Sequence, residues 1–447
     1  MHPALRLPAL GLFALALPAA AKEPCTAPDW ADCAPVELAL EPLLVGDQSL
    51  SGGIPTGIVF GALVPEGPEH VFVARKDGTV TVSNLTSGLS SELISLDGVA
   101  SVNPERGLLG LALAPDFATS HTLYTVHTEP RTEEANAACR YLPLGRGKQL
   151  QEACAKGEEF GCGGAFVVTE WTFPSILLGA ASEGTSREVF RRNQPGEGHN
   201  AGHALFGPDG MLYVSVGDGG SQMDPCSRGQ DVTDVYATIL RLDPSRPDGV
   251  AEGNPLASTP DAEPAIWAYG LRNPWRMDFV PAGLDGVPAG TLLVGDTGQS
   301  RAEEVNVVVP GGNYGWSVRE GTLMHPKPHP APASPDFVNP LHQYGSLKGR
   351  GAPTGGAAIV GGVVYAGSTL PALRGYYLFG DNVSGALWAL DLSAHDLTDP
   401  SSWTGSGKAH LVKGASVTPA TFARDGAGEV YVGGSGGQIW RVVAPAE

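Results

Sequence analysis

Apolar positions in this chain come in short runs built on an aromatic residue or Leu, each entered through a turn rich in Pro, Gly or Asp. Pro65-Glu66-Gly67 precedes Val71-Phe72-Val73, Pro115-Asp116 precedes Leu123-Tyr124, and Pro208-Asp209-Gly210 precedes Leu212-Tyr213-Val214. Pro288-Ala289-Gly290 precedes Leu292-Leu293-Val294, Arg374-Gly375 precedes Tyr377-Leu378-Phe379, and Asp425-Gly426 precedes Val430-Tyr431-Val432. The six units recur about every 72 residues and together account for nearly the whole chain. Strand-and-turn chemistry at a fixed period predicts an all-β ring, a six-bladed β-propeller, because each unit can bury its apolar face only against its neighbours.

The interval from Tyr124 to Tyr213 is longer, at 89 residues. Its excess falls at about 132–164 and holds Cys139, Cys154, Cys162 and the best helical candidate, Lys148 to Glu159, so a disulfide-stapled surface insertion is expected there. The proline-dense stretch from Met324 to Pro340 is expected as an extended loop.

Composition supports this picture. The chain of 447 residues has 61 Gly and 38 Pro, only 17% charged residues, and a net charge of −19. It is neither a coiled coil nor an acidic disordered tail. The negative balance argues against a nucleic-acid partner, whose phosphates select clustered Lys and Arg, and suits a bound divalent cation.

Arg6, the apolar run Leu10 to Leu17 and the small residues Ala19-Ala20-Ala21 read as a signal peptide over 1–21. The expected layout is then an N-terminal segment at 22–39 and the propeller at 40–447, exported to the periplasm or outside the cell, with no membrane span. In that compartment six cysteines read as three disulfides. Cys25 with Cys33, Cys154 with Cys162 and Cys139 with Cys226 is one of fifteen possible connectivities.

Chemistry-bearing residues cluster between 196 and 316. The loop Gly198-His199-Asn200-Ala201-Gly202-His203 offers two imidazoles, either as functional groups at a propeller mouth or as hydrogen-bonding residues at a blade turn. Gly217-Asp218-Gly219-Gly220, with Asp224 and Asp231, reads equally as Ca²⁺-binding oxygen or as Asx-turn chemistry. Trp267 to Arg276 packs Arg272, Asn273, Trp275 and Arg276 into one run, suited to a planar or anionic ligand, although Trp275 could equally be blade core. Asp296-Thr297-Gly298-Gln299, then Glu303-Glu304 and Asn313-Tyr314-Gly315-Trp316, supply the carbonyl and carboxylate oxygens that Ca²⁺ prefers.

Several of these segments, with Arg106-Gly107-Leu108-Leu109-Gly110-Leu111-Ala112 and Pro115-Asp116-Phe117, resemble the soluble quinoprotein glucose/sorbosone dehydrogenase superfamily from about residue 40 onward. The form Arg272-Asn273-Pro274-Trp275-Arg276 and the segment Tyr377 to Gly385 resemble its hedgehog-interacting-protein-like branch more closely. The resemblance implies pyrroloquinoline quinone (PQQ) at the propeller mouth with Ca²⁺ polarising it, and oxidation of a sugar with electrons passed on to an acceptor. It implies His199 as the general base, Arg272 and Asn273 on the quinone oxygens, the carbonyls of Gly298 and Gln299 on the cofactor's Ca²⁺, and Glu304 and Tyr314 as ligands of additional calcium sites. The chain departs from the dehydrogenases where they carry cations for the cofactor carboxylates: Ala366 and Ser384 stand there, with Lys348, Arg350 and Arg276 as candidate substitutes. Two further readings follow, a non-catalytic calcium-stabilised propeller binding a glycan or protein, and a calcium-dependent lactonase.

Overall fold

In the computed structural model, residues 35–45, 48–99, 105–130, 164–180, 182–196, 198–220, 222–325, 336–345 and 358–445 are described. The signal peptide, the 132–163 part of the insertion with its cysteines and helical candidate, Cys25, Cys33, Lys348 and Arg350 lie outside them. Among the described residues no helix is long and apolar enough to cross a membrane.

The described strands form six four-stranded antiparallel blades, one of them extended by the short parallel strand Val36–Glu37. This is the all-β, six-bladed propeller that the repeat implies. The inner strands, one per blade, are Pro55–Ala62, Leu108–Leu113, Ala204–Phe206, Pro274–Phe279, Ile359–Val364 and Pro419–Arg424. Each is the edge strand of its sheet, so the six surround a central channel. The sixth blade takes its outer strand, Ala39–Pro42, from the start of the described chain, where Ala39 pairs with Val443. Early and late segments thereby close the ring, and a sheet closed this way has little exposed edge.

All six units of the sequence repeat are the second strand of a blade, counted from the channel. The reason is burial: such a strand is paired on both edges and covered on both faces by adjacent blades, so it must be apolar on both sides. Phe72, Leu123, Leu212, Val294, Tyr377 and Val432 are essentially inaccessible. The core is six clusters, one per blade interface, such as Phe72, Val80, Leu111 and Leu123 between blades 1 and 2. Each such side chain contributes about 1.5–3 kcal/mol. The turn residues of the repeat also have a structural task. In blade 3 Asp209 caps Met211 N and accepts from Tyr213 Oη at 3.0 Å. In blade 6 Asp425 does the same for Glu429 N and Tyr431 Oη.

Candidate active site

Segments that lead into the inner strands and others that leave the second and third strands carry the chemistry to one mouth of the channel. His199 precedes the inner strand of blade 3 in a tight turn with φ of 50° at both His199 and Ala201. Two backbone anchors hold that turn: His199 N donates to the Glu105 carboxylate, and Ala201 N donates to Asn273 Oδ1 at 3.1 Å. Gly217 makes the close approach possible, since a Cβ there would lie 2.0 Å from the His199 carbonyl.

The imidazole is clamped at both nitrogens. Nδ1 lies 2.5 Å from Asp218 Oδ1, and Nε2 lies 2.9 Å from Arg272 Nη2. A guanidinium only donates, so Nε2 is the accepting nitrogen and Nδ1 carries the proton toward Asp218. His199 is therefore held in the tautomer whose Nε2 lone pair can take a proton, with a carboxylate behind it to stabilise the imidazolium. Burial by itself would raise the Asp218 carboxyl, but His199 and Arg272 hold it below the ordinary Asp value. Trp316 Nε1 donates to Asp218 Oδ2 at 2.9 Å, and the Arg272 guanidinium stacks over the Trp316 ring at 5.5 Å.

Beneath Arg272 lies Asp296, which accepts from the backbone N–H groups of Arg272 and Asn273 at 2.9 and 2.7 Å. Burial, outweighing these bonds, pushes its carboxyl up to about 7. Glu304, its cross-strand partner, is pushed up to about 8 by burial and by the charge of Asp296. Arg272 Nη1 donates to the carbonyls of Thr297 and Gly298 at 2.9 and 2.7 Å. The loop after them hangs on one atom: Glu320 Oε1 accepts from the backbone N–H groups of Gln299, Ser300, Arg301 and Ala302.

The structure thus brings together His199, Arg272, Asn273 and Gly298 from the expected set. Gln299 borders them, its side chain holding Met223 N at 2.6 Å. Glu304 sits one layer lower, bonded to Gly321 N and Asn306 Nδ2. Tyr314 is elsewhere: its hydroxyl donates to Val307 O and accepts from Val309 N within its own hairpin, and its carbonyl accepts from Arg319 Nε at 3.4 Å. Trp275 and Arg276 also depart from the expectation of ligand contact. Trp275 Nε1 donates across the channel to Ala420 O, and Arg276 reaches Thr421 Oγ1 and Thr56 O. The Arg276 guanidinium lies 4.8 Å from the Trp275 ring and is 1% exposed, so it braces blades 1, 4 and 6 and is no substitute for a missing mouth cation. Ser384 sits in a turn capped by Asp381, donating its backbone N–H and its hydroxyl to Asp381 Oδ1. Ala366 lies beyond the end of its inner strand, beside Gly428, on the face away from His199, so its lack of charge says nothing about the mouth.

Asp218, Asp296, Trp316, Glu105 and Glu320 were not singled out for these roles by the sequence. Asp218 carried a signal, an acid between glycines, but nothing along the chain paired it with His199.

A six-bladed propeller with an Asp–His–Arg cluster at one mouth defines a class, and the sequence comparisons narrow it. The glucose/sorbosone dehydrogenase family pattern matches residues 55–159 and 175–410, and the chain belongs to that family. It is 28% identical over 362 residues to the HIPL1 protein of Arabidopsis thaliana, covering 73% of this chain and 51% of that one, which places it toward the hedgehog-interacting-protein-like branch. The chain thus spans about half the length of that relative. It is 25% identical over 258 residues to the aldose sugar dehydrogenase YliI of Escherichia coli, covering 57% of each. Its fold is that of the PQQ-bound aldose sugar dehydrogenase of Streptomyces coelicolor, with TM-score 0.57, 22% identity, and coverage of 92% and 99%.

Proposed function

We propose that this protein is an exported, PQQ-dependent aldose sugar dehydrogenase. The observation that carries the reading is the accepting Nε2 of His199, with Asp218 behind its other nitrogen and Arg272 beside it. The donor set also fits the implied groups. The carbonyls of Thr297 and Gly298 already converge on a cation, the guanidinium of Arg272, and buried carboxylates lie beneath them. Gly298, with Gln299 beside it, would hold Ca²⁺ through backbone oxygen, and Arg272 with Asn273 would face the quinone. When bound, PQQ would supply the two-electron acceptor.

The chain's own residues then have defined tasks. His199 Nε2 receives the proton of the sugar hydroxyl, which must displace the Arg272 donor now resting there. The proton remains on the imidazole, neutralised through Nδ1 by Asp218. Arg272, freed from Nε2, stabilises negative charge developing on oxygen. Trp316 and Asp296 keep Asp218 and the Arg272 backbone from moving as this happens. Beneath the mouth Arg276 closes the channel.

The second reading, a calcium-stabilised binding propeller, is favoured by Ser384: its hydroxyl is occupied with Asp381 and it brings no charge to the mouth. The lactonase reading needs carboxylate ligands converging on one metal, and no such cluster is found among the described residues. Mixing the purified protein with PQQ and Ca²⁺ decides between enzyme and binding module. The dehydrogenase gives a change in cofactor absorbance and aldose-dependent dye reduction; absence of both leaves the binding propeller.

A further inference from the structure

A cavity of about 450 Å³ opens at the other end of the channel, away from His199. It is lined by Gly57 to Ala62, by Leu111 to Leu113, by His203 to Phe206 and by Phe422 to Arg424, the far parts of the inner strands of blades 1, 2, 3 and 6. That volume lies in the range of small-molecule sites. None of His199, Asp218 and Arg272 lines it, and the Arg276 brace, whose nitrogens reach Thr56, Thr421 and Trp275, crosses the channel between it and the His199 mouth.

Three features define what it can hold. First, the inner strands are sheet edges, so their unpaired backbone N–H and C=O groups face the cavity as adjacent donors and acceptors. Second, His203 accepts the Met277 N–H on Nδ1 at 3.1 Å, which leaves its proton on Nε2. Burial and the nearby Arg276 hold this imidazole well below its ordinary value, so it is a neutral donor lining the cavity. Third, the charges at the wall cancel: Asp278 takes Arg424 at 2.6 and 3.2 Å and also the Val364 N–H. An ionic ligand would find no counter-charge, whereas the partly exposed Phe60 and Phe206 offer apolar surface.

We propose that this lower chamber is a second ligand site, for small uncharged amides with a planar apolar body. The carbonyl would accept from His203 Nε2–H, the amide N–H would pair with a strand-edge carbonyl, and the ring would lie against the phenylalanines. The site is independent of the sugar reading, because the two chambers share no ligand-facing residue.

Benzamide is a suitable probe, read by nitrogen NMR of the full chain carrying ¹⁵N-histidine, with the His203 signal assigned from its loss in His203→Gln. Saturable movement of the His203 signal is expected, weakened at least tenfold by Ala62→Trp, which places an indole at the cavity rim. The His199 signal should stay in place. No movement of His203 with benzamide up to 20 mM, about the weakest affinity a useful site of this size would show, would overturn the proposal. Movement of His199 in place of His203, or movement untouched by Ala62→Trp, would overturn it equally.

Discussion

The two ends of one channel, walled by the same six strands, are built on opposite electrostatic terms. At the His199 mouth Asp218, Asp224, Asp296 and Glu304 are all buried, and burial leaves these carboxyls above their ordinary values except Asp218, which His199 and Arg272 hold below it. At the far end Asp278 and Arg424 cancel one another and His203 stays neutral. The difference teaches where the chemistry lies. Loops and strand ends at the mouth carry charged side chains to it, whereas the inner strands' far parts present mostly backbone. Arg276 stands between the two and keeps them separate.

The largest expected effect tests the charged end. His199→Ala should lower aldose turnover by about 10²- to 10⁴-fold with folding preserved. Asp218→Asn should act comparably, since an amide in that place can reverse the imidazole tautomer. Steady-state dye reduction measures both, and unchanged turnover in either variant would remove the proton transfer assigned to this pair.

Next is the partition itself. Arg276→Met keeps the length but strips the donors from the Thr56 and Trp275 carbonyls, which should cost about 2–6 kcal/mol by urea unfolding, at about 1–3 kcal/mol for each stranded group. A loss below 0.5 kcal/mol, about the scatter of surface substitutions, would show that the brace is dispensable.

The pH dependence should set the two ends apart. Asp296 and Glu304 have folded values near 7 and 8, above their unfolded values, so the folded state holds protons that the unfolded state has lost. Their contribution is most favourable at acid pH, and stability should fall as pH rises from about 4.5 to 8, by at most about 1.4 kcal/mol per pH unit for each group. Urea titrations at pH 5.5 and 8 check this. Asp296→Asn should flatten the slope, whereas His203→Gln should steepen it, because a histidine kept neutral in the fold favours the folded state increasingly as pH rises toward the unfolded His value, and the variant loses that opposing contribution.

Calcium gives the smallest shift and sharpens the same contrast. At 100 times its dissociation constant it would add about 2.7 kcal/mol, raising Tm relative to chelator. The gain should shrink below pH 6, as protonated Asp296 and Glu304 cease to favour a cation. Equal gains at both pH values would place the ion away from these carboxylates.

Legibility followed the range of the contacts. The turn of Asp209-Gly210 and the Tyr213 it holds are four residues apart, so that unit could be recognised in the sequence, and so could its recurrence. Arg272 and Asn273 stood out because the costly residue types are adjacent. Trp275 and Arg276, in the same run, could not be told from them, because successive residues on a strand point to different sides and a bulge falls between Pro274 and Arg276.

The sequence by itself determined the number of blades, the strands that form their cores and the loops that carry reactive side chains, because each of these is a local pattern of burial and turn chemistry repeated along the chain. Only the tertiary structure decided that Asp218 serves His199, that Arg272 rests on the Gly298 carbonyl, and that Arg276 meets Thr56, a partner 220 residues away. Those meetings depend on ring closure, which sets distances between blades that no local pattern encodes.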